Sequence, residues 1–323
     1  MTTRNLSVCI GGMSVRLGLP DSRLAGELRR LLAARPAGSL SANINLKFMI
    51  PQLLGGAKHM RLGETRLRPE TPAWHAPRPT KFARIHQGRA NRCYSAKSAK
   101  ASFATKHEPG EPRPVTEEIL HIDGCGEYTA VFDMKKRVGQ AGLSPTGERR
   151  ADIVLNCLRQ ICARVIIEEG GLVLHAACIV RTGRAFVFVG QSGAGKTTVC
   201  TLSPHCRIAT DDTTVVRRLD GKFVAWGMPG TGSFQPPADS GPFEVAAVFK
   251  LVQDKRVRLV PMSGAKATAG ILALPFFSSE GEIVGKMLEL VRDLTDHVPC
   301  YELHFRKDPS FWKCIDREMG KES

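Results

Sequence analysis

The sequence predicts an α/β fold with a mixed α+β sheet, preceded by a small α+β region. Three observations lead there. Two apolar runs, GLVLHAACIV (171–180) and RAFVFVG (184–190), are joined by Arg181-Thr182-Gly183 and form a predicted buried hairpin. A helical pattern stands ahead of them, with Ile153, Leu155, Leu158, Ile161, Val165 and Ile166 on one face and Gly170-Gly171 as its stop. Directly behind the second run comes GQSGAGKTT at 190–198, a glycine-rich turn that opens a short helical pattern.

Taken in order, residues 1–55 open with SVCIGGMSVRLGL, a strand pair turning at Gly11-Gly12, and DSRLAGELRRLLAAR, a helix capped by Asp21 or Ser22. Residues 116–143 resume this region with short strands in EEILHIDGCGEYTAVFDM around Gly124-Cys125-Gly126. Residues 144–323 form the main domain. Ser144 and Thr146 precede its long helix, and TTVVRRLDGKFVAWG makes a hairpin at Asp220-Gly221. The tail carries a helix over GEIVGKMLELVRDLTDHV, a strand at YELHF and a last turn around Phe311 and Trp312. No internal repeat is visible.

Residues 56–115 differ from both flanks. The net charge of +15 concentrates here: Lys58 to Arg113 hold 13 Lys/Arg against 4 Glu and no Asp, with seven prolines between Pro69 and Pro114. Such a composition buries too little apolar surface to offset the entropy of ordering, so it predicts a basic, proline-rich unstructured linker or insert. Because the excess is local, nucleic acid is not an expected partner of the domain. No run approaches the roughly 20 apolar residues that span a bilayer. The amino terminus has no signal-peptide pattern, which predicts a soluble cytoplasmic chain without a membrane span. The ten cysteines form no CxxC pair and show no zinc-ligand spacing, and most lie in apolar runs as reduced, buried thiols.

Gly190, Gly195, Lys196 and Thr197 satisfy G-x-x-x-x-G-K-[ST], with Gln191, Ser192, Gly193 and Ala194 between them and Thr198 behind. Glycines let consecutive backbone N–H groups turn onto an anion, and a helix opening at Gly195 aims its positive end there. Lys196 supplies a point charge for the outer phosphates, and the Thr197 hydroxyl is an oxygen ligand for Mg²⁺. Residues 190–198 therefore form the expected nucleotide-binding loop. Fourteen residues past Thr197, RIATDD ends a short strand with Asp211 and Asp212. An acid at that place can hold the metal with Thr197, and its neighbour can take a proton from an attacking hydroxyl. Adjacent residues on an extended chain face opposite ways, so the pair divides these roles, and residue chemistry leaves open which takes which. His175, on the strand beside the loop strand, is a third candidate catalytic group with Lys196, Asp211 and Asp212.

His175, the hairpin, GQSGAGKT and the Asp pair together resemble the catalytic domain of the HPr kinase/phosphorylase family, within the broader bacterial HPr-kinase-like group. The likeness covers about 145–235, through GMPGTG at 227–232, and weakens beyond. It implies a P-loop kinase with the fold shared with phosphoenolpyruvate carboxykinases, using ATP and Mg²⁺. Lys196 would contact phosphate, Thr197 and an acid of the pair would hold Mg²⁺, and Asp212 or Asp211 would accept the proton. The family's proline-glycine-arginine-asparagine loop has no match in PPADSGPFEVAAVF, so HPr as substrate and the reverse phosphorylase activity are not carried over. The expected activity is phosphorylation of a hydroxyl on a protein, peptide or small metabolite. The alternatives are a non-catalytic ATP-binding regulatory module and a carboxykinase-like enzyme. HPr kinases assemble into rings, which admits an oligomer, although the residues give no interface signal.

Overall fold

A computed structural model describes residues 4–32, 43–49, 60–62, 65–67, 96–98, 119–123, 128–143, 150–234, 241–272 and 281–319. Two mixed sheets enclose one long helix. The first sheet begins with β1 (Arg4–Ile10) and β2 (Met13–Leu19), an antiparallel hairpin whose two-residue turn has Gly11 and Gly12 both at positive φ. Then α1 (Ser22–Leu31) starts at Asp21, whose side chain accepts from the Leu24 amide at 2.8 Å. The strands that follow are β3 (Asn43–Met49), β4 (Met60–Leu62), β5 (Thr65–Leu67), β6 (Ala96–Ser98), β7 (Ile119–Asp123), β8 (Tyr128–Asp133) and β9 (Val138–Leu143). They run in the order β1-β2-β3-β9-β8-β7-β6, with β4 and β5 paired separately.

Three of these strands fall within 56–115, the stretch expected as a linker or insert: β4 and β5 form a hairpin, and β6 pairs with β7. Strands of three residues are too short to show alternation in sequence, and their ladders rest on backbone groups that composition does not report. The rest of that stretch lies outside the described residues, as do the Gly124-Cys125-Gly126 turn and the caps expected at Ser144 and Thr146.

The long helix α2 (Arg150–Glu168) is buried along most of its length, including Ile153, Val154, Leu155, Leu158, Ile161, Val165, Ile166 and Ile167. Apolar burial all round means a helix covered on several sides. Here the first sheet contributes one wall, and Val173, Val215 and Trp226 of the second sheet, with Met228 just past Gly227, contribute another. Helix α2 ends at Gly170 (φ 78).

Among the described residues the second sheet has nine strands: β10 (Gly171–Leu174), β11 (Ala176–Arg181), β12 (Arg184–Val189), β13 (Arg207–Thr210), β14 (Thr214–Leu219), β15 (Lys222–Gly227), β16 (Phe243–Gln253), β17 (Arg258–Pro261) and β18 (Cys300–Phe305). Its helices are α3 (Lys196–Thr201), α4 (Gly264–Leu272), α5 (Gly281–His297) and α6 (Ser310–Met319). The order runs β10-β14-β15-β16-β12-β11-β13, and β18 joins β16 to β17. Pairing is parallel at β12/β16 and β16/β18 and antiparallel elsewhere, so the fold is α/β with mixed sheets.

Three features differ from the sequence expectation. FEVAAVF, to which no element was assigned, is the first part of the 11-residue central strand β16. The last turn is the ten-residue helix α6, which seats Phe311 and Trp312 on Phe186, Phe188 and Phe305. The Trp312 indole N–H donates to Ser203 Oγ at 2.8 Å, which ties α6 to the end of α3. The run 171–180 is broken at His175, because β10 pairs with β14 whereas β11 pairs with β12 and β13. Among the described residues, no helix is long and apolar enough to cross a membrane.

Candidate functional site

Sheet topology brings the candidate residues to one edge. Strand β11 is antiparallel to both neighbours, so β12 and β13 run parallel and finish at the same side. Ala176 lies opposite Val189, the last residue of β12, and Cys178 lies opposite Thr210, the last residue of β13. His175 before β11, the 190–195 loop after β12 and Asp211-Asp212 after β13 therefore meet.

The loop is held from within. Lys196 is only 7% exposed, and its ammonium donates to the carbonyls of Gly190 (2.8 Å) and Gln191 (3.2 Å). Burial lowers the Lys196 pKa from its ordinary value, and the charges of Asp212 and Asp211 partly restore it. Gly195 caps α3 with φ 111, and a Cβ there would lie 2.5 Å from the ring of Phe305. Only glycine fits both the conformation and the approach. Gln191, Ser192 and Gly193 are exposed, Ala194 and Thr198 half-buried. The Gly193 carbonyl accepts from the Gln253 amide at 2.7 Å.

The two acids diverge. Asp211 is 3% exposed, and its Oδ2 accepts from Thr197 Oγ1 at 2.9 Å. Its Oδ1 accepts from the backbone amides of Ser233 (2.8 Å) and Phe234 (3.2 Å). Asp212 turns the other way. Its Oδ1 stands 3.3 Å from His175 Nδ1, its Oδ2 accepts from the Thr213 hydroxyl at 2.9 Å, and its carbonyl is 3.1 Å from the same ring nitrogen. Burial works to raise the Asp212 carboxyl. The His175 hydrogen bond, the Arg159 charge, the His175 charge and the Thr213 hydroxyl outweigh it and leave the group below its ordinary value.

Sequence reasoning gave three contributors no role. The 228–234 loop folds over Asp211, and Gly232 (φ 77) leaves no room for a side chain, since a Cβ would lie 2.0 Å from Asp211 Oδ1. Its signal was visible as Gly230-Thr231-Gly232 behind Pro229. Arg159 projects its charge onto Asp212 from α2; an arginine among the apolar positions of a buried helix was the available sign. Gln253 had no local signal, because β16 itself went unrecognised.

A hydroxyl and a carboxylate on one oxygen-rich spot are hard donors that fit Mg²⁺, and Mg²⁺ commonly takes only one or two protein carboxylates with water and phosphate oxygens. Among the described residues, no group of three or more His, Cys, Asp or Glu could form a closed metal cage. The donor set of Thr197 and Asp211 thus fits magnesium bound jointly with phosphate rather than a dedicated protein site.

A family model, SynChlorMet cassette protein ScmC, matches residues 145–320, more than half of the 323-residue chain. The chain belongs to the ScmC family. The matched span holds every candidate residue above and leaves out the strands of the first sheet. Among curated proteins none matches. The structure of the Hpr(Ser) kinase/phosphatase from Coxiella burnetii is similar over 46% of this chain and 97% of its own, at 11% identity and a TM-score of 0.30. At that level the likeness carries no inference about the ScmC-family chain.

Proposed function

We propose that this ScmC-family chain is an ATP-dependent, Mg²⁺-dependent phosphotransferase that phosphorylates a hydroxyl of a protein, peptide or small metabolite. One observation carries this reading: the 2.9 Å bond from Thr197 to Asp211 joins the Walker-type loop to a strand-end acid, while Asp212 faces away to His175. The loop 190–198 would hold the phosphates, with Lys196 as the cation for the outer ones. Thr197 and Asp211 would hold Mg²⁺, which neutralises phosphate charge when bound. Asp212 would accept the proton of the acceptor hydroxyl, and His175 and Thr213 would keep its carboxylate aimed. Asp212 is a weak base with its lowered pKa, but phosphoryl transfer passes through a loose transition state and asks mainly for positioning.

Incubation of the purified chain with γ-labelled ATP and candidate acceptors tests this reading. Label should move to an acceptor with the wild type, be lost with Lys196→Ala through loss of nucleotide binding, and be lost with Asp212→Asn while binding persists. Equal transfer by Asp212→Asn and wild type would remove Asp212 from the reaction. Tight MgATP binding without transfer to any acceptor would leave a nucleotide-binding regulatory module instead.

A further inference from the structure

Strand β13 ends at Thr210, which is completely buried. Its Oγ1 accepts from the backbone amide of Asp212 at 3.1 Å and from that of Thr213 at 3.2 Å. The first amide belongs to the peptide unit before the Asp212 Cα, and the second to the unit after it. A hydroxyl oxygen has two lone pairs, so one atom can serve both. Threonine hydroxyls form local turns of this kind by bonding backbone a few residues on. Thr210 is itself wedged in place. A Cβ on Gly227, the last residue of β15, would lie 3.3 Å from Thr210 Cβ and 2.0 Å from the Ala209 carbonyl oxygen.

The two acids depend on this turn unequally. Asp211 is gripped through its carboxylate by Thr197 and by the amides of Ser233 and Phe234, all of them outside the turn. Asp212 meets its partners through the turn. The Thr213 hydroxyl that donates to its Oδ2 is the next residue along. The carbonyl that stands 3.1 Å from His175 Nδ1 lies in the second of the two tied peptide units. With both units held on one oxygen, the direction in which the Asp212 side chain leaves the backbone is set. The geometry points to Thr210 as the positioning residue that aims Asp212 at His175 and away from the Thr197–Asp211 spot; this rests on the phosphotransferase reading. Thr210 acts through Asp212 and not on nucleotide, metal or acceptor.

Thr210→Val keeps the branched shape and removes the acceptor, whereas Thr210→Ser keeps the acceptor. With γ-labelled ATP, turnover per MgATP-binding site should fall about 100-fold in the valine variant, the cost of shifting a reacting group by about 1 Å, and recover to within about fivefold in the serine variant. MgATP affinity should change less than about threefold in both, because Lys196 and Asp211 keep their own contacts. A purely structural role would lower the melting temperature and the number of binding sites but leave turnover per site unchanged. Turnover per site within about threefold of wild type in the valine variant, or equally low in both variants, overturns the inference and leaves the phosphotransferase reading standing. Amide hydrogen exchange in the wild type needs no variant. The Asp212 and Thr213 amides should exchange much more slowly than those of the exposed Gln191 and Ser192, and equal rates overturn the inference as well. Wild type that transfers label to no acceptor overturns the phosphotransferase reading and this inference with it.

Discussion

Gly232→Ala probes the acid pair without touching an ionisable group. At φ 77 an alanine costs about 1–2 kcal/mol in backbone strain alone. Gly221, at φ 80 with no atom within 4 Å of where its Cβ would lie, carries the same strain and no collision, so Gly221→Ala is the control. At Gly232 the added carbon would stand 2.0 Å from Asp211 Oδ1, 2.9 Å from its Cγ and 3.0 Å from Asp212 Cβ. Ordinary contact begins near 3.4 Å, so the loop or the carboxylate must retreat by about 1.4 Å. That movement breaks the Ser233 and Phe234 amide bonds to Asp211 and shifts its other oxygen away from Thr197. Misplacement of a reacting constellation by about 1 Å can cost about 100-fold in rate. Thermal melts and MgATP turnover, measured on both variants, separate the effects. Both should melt a few degrees below wild type, at roughly 2–4 °C per kcal/mol. Only Gly232→Ala should lose turnover by about 100-fold or more. Equal turnover in the two variants would refute the claim that this loop sets the position of Asp211.

Arg159→Met should lower turnover and move the acid limb of the pH–rate profile upward, because Asp212 loses one of the cations that hold its carboxyl down; an unmoved limb would separate Arg159 from the site. Asp212 also links stability to pH. Its folded value lies below the unfolded one, so its ionised form stabilises the fold above the ordinary carboxylate value of about 3.9, and the contribution is lost as pH falls through the folded value. The difference in unfolding free energy between wild type and Asp212→Asn should therefore be constant near neutrality and shrink below about pH 4, as chemical denaturation across pH would show. Burial pushes the thiols of Cys178 and Cys300 up to about 12 and raises those of Cys157, Cys162 and Cys200 strongly. Peptide mapping after maleimide treatment near neutral pH should find these five unmodified in the native protein and modified once it is unfolded.

The sequence was most informative where a local rule governs the chain. Gly11-Gly12, Asp220-Gly221 and Thr182-Gly183 mark two-residue hairpins because a positive φ is needed there, and each turn is found in the structure. Asp21 is legible as a cap for the same kind of reason. The glycine-rich loop and the Asp pair were readable from spacing. Their meeting at one edge followed once the hairpin made β11 antiparallel to its neighbours. What depends on distant partners was not readable. Strand β16 is covered on both faces, with Val245 and Val248 in one core cluster and Ala246, Ala247 and Phe249 in another, so its VAAVF core lacks the alternation that marks a half-exposed strand. The break at His175 arises from a change of strand partner, and nothing in LVLHAACIV announces it. Arg159 reaches Asp212 across more than fifty positions of chain, and only the packing of α2 against the second sheet brings them together.

The joint hold of phosphate and metal by the loop and Asp211 is tested most directly by pulsed electron paramagnetic resonance of Mn²⁺·ATP, with manganese standing in for magnesium. Wild type should bind the pair and show phosphorus coupling to the metal. Asp211→Asn should keep ATP but bind Mn²⁺ at least tenfold more weakly. The same Mn²⁺ affinity and spectrum in both proteins would mean that Asp211 holds no metal and that its bond to Thr197 serves the fold alone.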